Sequence, residues 1–248
     1  MAQQRLTKTR PGAADGFFAA EAAGLRWLSV PDGVPVVRVH EVTRTVLVID
    51  RVAVGNPDGS AAEAFGRRLA RTHDAGAAFF GVGPDGGPGR GWIGDAPLPL
   101  RTEPPTGWGA WYAEDRVLFH ARRAGVDDPA LRRVAARLSA GDFDDDAPPA
   151  RIHGDLWSGN VLWSPDGVVL IDPAAHGGHR VTDLAMLELF GTPHLATIHA
   201  AYQEASDHLP DGWRDLIGLH QLHPLLVHAE LFGGGYGKAA MQVARRYA

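Results

Sequence analysis

The sequence predicts an α+β fold in two lobes: a small strand-bearing N-terminal part, then a larger and mostly helical one. Three observations carry this expectation. Two β-branched runs, Val34–Val42 and Thr45–Val54, lie early in the chain. Segments with helical apolar spacing dominate after residue 60. Between them stands the breaker Gly55-Asn-Pro-Asp-Gly59, which sets the expected division into residues 1–55 and 56–248.

Composition narrows the function classes. A chain of 248 residues can bury a large core as one domain or two small lobes. With 24 basic and 29 acidic residues the net charge is −5, which gives a nucleic-acid-binding role no electrostatic support. There is no cysteine, which excludes disulfides, thiolate catalysis and cysteine metal sites; the cytoplasm is the expected location. The first ten residues are polar and basic, without the apolar stretch of a signal peptide, and no 18-residue apolar run predicts a membrane span.

Taken in order, Gln3–Thr9 reads as a strand carrying Lys8, and Pro11-Gly12 ends it. Phe17–Leu28 has helical spacing, with Asp15 as the expected cap. The two β-branched runs form a hairpin around a short polar turn. Ala61–His73 is an amphipathic helix with Phe65, Leu69 and His73 on one stripe. Residues 81–94 are rich in glycine and read as loop. Trp108–Ala124 and Pro129–Leu138 are helical, and the acidic run Asp142–Asp146 reads as solvated loop. Helices are expected again over Thr182–Phe190, Thr197–Ser206 and, with breaks, Trp213–Phe232.

The most informative stretch joins these two halves of the helical part. Arg151-Ile-His-Gly-Asp-Leu-Trp-Ser-Gly-Asn160 sets Asp155 two residues after His153 and Asn160 five after Asp155. This is the H-x-D-x-x-x-x-N spacing of a kinase catalytic loop. Twelve residues on, Asp172 ends the apolar run Val168–Ile171, which reads as a short buried strand. Phosphoryl transfer needs such a set. One carboxylate, Asp155, orients the attacking hydroxyl and accepts its proton. A second carboxylate and an amide oxygen, Asp172 and Asn160, hold magnesium against the ATP phosphates, because magnesium prefers hard oxygen ligands.

A further pair follows from periodicity. Phe17, Glu21, Leu25 and Leu28 stack on one helix face. Glu21 therefore sits on an apolar stripe, where a carboxylate is costly unless paired. Lys8 on the preceding strand is the nearest candidate partner, reproducing the kinase Lys–Glu pair that positions ATP.

His153-Gly-Asp-Leu-Trp-Ser-Gly-Asn160 resembles the catalytic loop of the fructosamine kinase, or ketosamine-3-kinase, family. Asp172-Pro-Ala, Gly178-His-Arg and Thr182-Asp-Leu-Ala-Met186 are similar to that family's next block. Leu189-Phe-Gly191 and His228-Ala-Glu-Leu-Phe-Gly-Gly-Gly-Tyr236 are similar to its C-terminal signatures. The resemblance spans roughly residues 5–240. It implies a fold like that of protein kinases and aminoglycoside phosphotransferases, and ATP-dependent phosphorylation of a sugar hydroxyl on a fructosamine or ribulosamine. It also implies a scaffold role for His153 and a bracing role for Asp183, although Val181 departs from the glutamate usual in that block.

Trp157, Trp92, Trp108 and His228 are candidates for a sugar-amine pocket, since aromatic faces suit sugar C–H surfaces and cationic amines. Each alone is more often a core residue; Trp157, inside the catalytic loop, is best placed for the pocket. Trp92-Ile-Gly94 resembles a family segment, but Pro97-Leu-Pro-Leu100 lacks its usual polar residues. Gly81-Val-Gly-Pro-Asp-Gly86 fits G-x-G-x-x-G by letter; it carries Pro84, follows no clear strand and reads as surface loop. His220-x-x-His223 lacks the H-E-x-x-H of a zinc site. Seven residues precede Lys8, too few for the glycine-rich hairpin that covers ATP phosphates in kinases. The sequence therefore predicts an exposed γ-phosphate. It leaves two alternatives: a kinase for an aminoglycoside, aminosugar or choline-like acceptor, and a non-catalytic relative.

Overall fold

The computed structural model describes residues 4–248. The chain opens with β1 (Arg5–Thr9) and α1 (Phe17–Leu28), followed by the hairpin β2 (Val39–Val42) and β3 (Val46–Asp50). The expected strand start at Gln3 lies outside the described residues. The three strands form one antiparallel sheet in the order β1-β3-β2. Lys8 pairs with Leu47 and Leu6 with Ile49, so all four share one face. Leu47 and Ile49 bury that face against Phe18, Ala22 and Leu25 of α1. Only the last part of the Val34–Val42 run joins the hairpin; Val36 bridges in parallel to Leu170 instead. The helix cap is also different from expectation. Gly16 occupies it in the left-handed region at φ 86, and no side chain among the described residues caps α1. A Cβ at Gly16 would lie 3.1 Å from Pro88, so the close approach of residue 88 favours glycine.

α2 (Gly59–Asp74) starts at Asp58, whose carboxylate accepts from the Ala61 amide at 2.8 Å. The glycine-rich stretch after it is not all loop. It ends in a small hairpin, β4 (Gly91–Ile93) with β5 (Ala96–Leu98). Next comes a continuous rod: α3 (Trp108–Trp111), a π-helical turn over Tyr112–Leu118, and α4 (Phe119–Arg123). Uniform helical spacing could not show the π turn, in which Asp115 and Arg116 are both buried. Arg116 donates to the Pro99 carbonyl at 3.0 Å. α5 (Pro129–Ser139) begins on the Asp128 cap with proline in its first turn.

The acidic run after α5 is more than solvated loop. Asp144 accepts from the Gly109 amide at 2.7 Å, and Asp145 lies 3.2 Å from His179 Nε2. Charge-run reasoning sees only the acids; the donors sit 35 and 34 residues away.

Two short sheets frame the catalytic loop. β6 (Ala150–Ile152) precedes it and pairs with β9 (His176–Gly178). β7 (Val161–Ser164) and β8 (Gly167–Leu170) form the hairpin that follows it. The chain ends in α6 (Arg180–Leu189), α7 (Leu195–Ala205), α8 (Ile217–Phe232) and α9 (Tyr236–Tyr247). α9 follows three glycines and had no separate sequence expectation. α8 is buried on most sides and carries Pro224, which blurred its periodicity. α2 and α7 pack backbone to backbone. A Cβ at Gly66 would stand 2.4 Å from the Ile198 carbonyl oxygen. Among the described residues, no helix is long and apolar enough to cross a membrane.

Candidate active site

The site is built around a buried carboxylate. Asp183 on α6 has no exposed surface. Its Oδ2 accepts from the His153 amide at 2.7 Å and its Oδ1 from the Gly154 amide at 2.9 Å. His73, from the apolar stripe of α2, adds a bond from Nε2 at 3.1 Å, and Tyr202 on α7 lies 2.8 Å from its Nδ1. Burial works against the Asp183 charge, but His73 and the loop amides outweigh it and hold its pKa below the ordinary value. Burial keeps His73 neutral. With Nε2 carrying the proton, Nδ1 is left to accept from the tyrosine. Gly154 sits at φ 80, and a Cβ there would come 2.3 Å from the Ala174 carbonyl oxygen. Glycine lets the loop turn against the strand entering β9.

His153 is buried and neutral. Its Nε2 donates to the Ile171 carbonyl at 2.9 Å, and its Nδ1 accepts from the Asp155 amide at 3.3 Å. It thereby ties the loop to the residue before Asp172. Asn160 closes the same circuit. Its amide nitrogen donates to the Asp155 carbonyl at 2.8 Å, to Asp155 Oδ2 at 3.1 Å and to the Asp172 carbonyl at 3.4 Å. These bonds occupy the nitrogen and leave the side-chain oxygen available to a cation. Burial pushes the Asp155 carboxyl up to about 7; the Asn160 bond draws it down, while Asp183 and Asp172 add to the rise. A group poised there exchanges protons readily near neutral pH.

Asp172 takes the left-handed conformation, φ 52, which aspartate tolerates better than most side chains. This turn aims its carboxylate at β1. Lys8 Nζ donates to Asp172 Oδ1 at 2.8 Å and to Glu21 Oε1 at 2.6 Å. Burial opposes the Lys8 charge, but Glu21 and Asp172 overcome it and hold the ammonium above its ordinary pKa. Burial pushes the Glu21 carboxyl up, and Lys8 draws it back.

Lys8, Glu21, Asp155, Asn160 and Asp172 all line one cavity of about 880 Å³. Its far wall comes from Phe17, Trp92, Arg90 and residues 82–84 and 87–89. The segment read as surface loop is thus partly a pocket wall. Trp157 stands at the pocket, 41% exposed. Trp92 lines it too and meets Phe17 edge to face at 5.7 Å. Trp108 does not belong there. It is buried, stacked on Tyr112 at 5.1 Å and on His220 at 4.8 Å, because an α3 side chain at that position faces α8. His228 is also off the pocket wall. Its ring lies tilted against Phe190 at 4.8 Å, and Phe190 in turn meets Trp157 at 6.4 Å.

Two residues escaped the sequence reading. His73 looked like one more member of a helix stripe, yet it braces Asp183. Leu6, one strand period before Lys8 on the same face, is apolar and 45% exposed. Its signal was the alternation itself. No group of three or more histidine or acidic side chains suited to a metal occurs among the described residues. The Asn160–Asp172 pair is the smaller oxygen set that suits magnesium shared with phosphates.

A strand lysine paired with a helix glutamate, facing an H-x-D-x-x-x-x-N loop and a strand-end aspartate, defines a phosphotransferase of protein-kinase-like fold. The family model described as fructosamine kinase matches residues 2–248, and the chain belongs to that family. A "Probable ketoamine kinase" of Lactiplantibacillus plantarum is 32% identical, over 98% of this chain and 86% of its own. The like-named YniA of Escherichia coli strain K12 is 32% identical, over 91% and 78%. A Thermobifida fusca crystal structure, named for fructosamine-3-kinase, superposes with a TM-score of 0.88 at 45% identity, covering 98% of this chain and 85% of that one. The aminoglycoside phosphotransferase APH(4)-Ia shares the fold alone, with a TM-score of 0.59 at 17% identity over 100% and 88% of the two chains.

Proposed function

We propose that the protein transfers the γ-phosphoryl group of ATP to a sugar hydroxyl of a ketosamine, a fructosamine or ribulosamine. The carrying observation is the convergence of Lys8, Glu21, Asp155, Asn160 and Asp172 on one cavity. The adenine is assigned to the side of Leu6, whose exposed apolar surface lies on the Lys8 face of β1 beside β3. Lys8 holds the phosphates from the sheet side. Asn160 and Asp172 would hold magnesium through their side-chain oxygens, and the ion would neutralise charge on the phosphates. The acceptor hydroxyl sits against Asp155. Its oxygen bonds to the γ-phosphorus as the bond from that phosphorus to the β,γ-bridging oxygen breaks, and its proton passes to Asp155.

Trp157 and Trp92 offer aromatic faces to the sugar-amine. The far wall favours a ketosamine over an aminoglycoside. A polycationic acceptor needs carboxylates along its whole length, whereas the residues of this far wall supply none and include the cation Arg90. The test is turnover of MgATP with ribulosamine and fructosamine acceptors beside aminoglycosides and choline, followed by phosphorus NMR. Phosphorylation of the ketosamines first is the expected result. Turnover of aminoglycosides alone, or of none, sinks the proposal.

A further inference from the structure

The charged groups around the pocket are almost all matched. Lys8 is held by Glu21 and Asp172. Arg10 bonds Asp95 at 2.6 Å, and its guanidinium lies 4.6 Å over the Phe17 ring. Arg101 is fixed by Asp115 at 2.6 Å and by Glu114 at 2.6 Å. Arg90 is the exception. It lines the same cavity, is exposed, and has no hydrogen bond, ion pair or ring contact among the described residues. Its neighbours fix the backbone that carries it. Gly89 takes φ 68 just before it, and β4 begins just after. The side chain therefore projects from an anchored hairpin base rather than from a free tail.

An unmatched guanidinium on the wall of a substrate pocket is a ready partner for a carboxylate or phosphate, with its fork of donors. Two sources of anion enter this cavity: the phosphates of the nucleotide and an acid group on the acceptor. The position of Arg90 favours the second. Two residues on in the same hairpin is Trp92, which packs on Phe17 at the start of α1. That places it on the acceptor wall, while the nucleotide phosphates are already served by Lys8, Asn160 and Asp172.

We infer that Arg90 binds a carboxylate on the amine side of the acceptor, so the preferred substrate is the ketosamine of a free amino acid rather than that of a neutral amine. This rests on the ketosamine kinase reading above and makes it more specific. The guanidinium pairs with the carboxylate beside the glycated nitrogen while the sugar hydroxyl lies at Asp155.

Two ribulosamines decide the matter, one made from glycine and one from ethanolamine. They are close in size, both keep a basic amine, and they differ by one negative charge. Wild type, Arg90→Ala and Arg90→Glu are assayed with each at saturating MgATP. Wild type is expected to favour the glycine-derived acceptor by about tenfold in kcat/KM, carried by acceptor KM. Arg90→Ala brings the ratio near one and Arg90→Glu reverses it, with ATP KM unmoved. Arg90 is exposed, so an unchanged melting temperature verifies that the variants fold. The inference is overturned if the ratio is the same in wild type and Arg90→Ala. It is equally overturned if ATP KM rises in the variants while the ratio holds, which assigns Arg90 to the nucleotide. Failure of wild type to use either ribulosamine, or the fructosamine made from either amine, overturns the kinase reading and this inference with it.

Discussion

Lys8 reaches across the cleft to Asp172, bonding a residue 164 positions away at 2.8 Å while it holds Glu21 at 2.6 Å. One cation thus joins the N-terminal sheet to the end of the catalytic segment. Glu21 is 11% exposed, and among the described residues no other cation bonds it. Replacing Lys8 with Met strips both carboxylates of their partner. It is expected to lower kcat/KM for ATP about a hundredfold, because the phosphates lose their fixed positive charge. Steady-state kinetics with ATP varied would detect this; a loss below about threefold would dismiss the role.

Asp155→Asn keeps the shape and the reach to Asn160 but removes the proton acceptor. Phosphoryl transfer is expected to fall by at least about a thousandfold, with nucleotide affinity retained. Single-turnover rates and ATP titration separate the two quantities. A variant with a tenth of the wild-type rate contradicts the assignment.

Asp183→Ala leaves two loop amides and His73 without their acceptor in a fully buried place. The expected cost is about 3–5 kcal/mol of stability. Urea unfolding measures it. Asp183→Asn keeps one acceptor oxygen and should lose less.

The fold should weaken in mild acid. Eight of the twelve histidines, His73, His120, His153, His176, His199, His220, His223 and His228, have pKa values pushed down from 6.5 by burial. His120 falls to about 4 and His176 to about 3. The unfolded chain therefore binds protons that the folded chain refuses. Stability is complete above pH 6.5 and is lost as pH falls toward those folded values. Asp155 and Glu21, raised by burial, pull the other way, but they are two groups against eight. Each fully buried histidine contributes a slope of up to about 1.4 kcal/mol per pH unit. Urea midpoints at pH 7.5 and 5.5 should show a clear drop; a flat profile would contradict it.

The two tryptophans should behave in opposite ways. Trp157→Ala is expected to raise acceptor KM about tenfold with little change in melting temperature. Trp108→Ala should cost about 3–5 kcal/mol of stability and leave acceptor KM in the surviving enzyme alone. If Trp108→Ala shifted acceptor KM instead, its place in the core would not describe its function.

What the sequence shows depends on how far the information lies from the residue concerned. The hairpin of β2 and β3, α1 and α5 are legible because their apolar spacing is local. The string from His153 to Asn160 is legible because its members are contiguous. The tie between His73 and Asp183 is not, since it joins residues 110 apart and a helix stripe looks the same with or without a bracing histidine. Trp92 and Trp108 look alike in sequence. One faces the cavity and the other faces α8, which only packing decides. The π turn at Tyr112–Leu118 leaves the apolar spacing almost intact, so periodicity reads straight through it.

The Asp183 knot has a mechanical consequence. It fastens His153 and Gly154 to α2, α6 and α7, so Asp155 and Asn160 move with the helical body. Lys8 and Glu21 ride on the sheet and its helix. A shift of the sheet against that body would change the Lys8–Asp172 distance and leave the Asp155–Asn160 bond unaltered. That ion pair thus reports on the cleft from the phosphate side, while residues 35–37 hinge on Leu170 and α1 on Arg151.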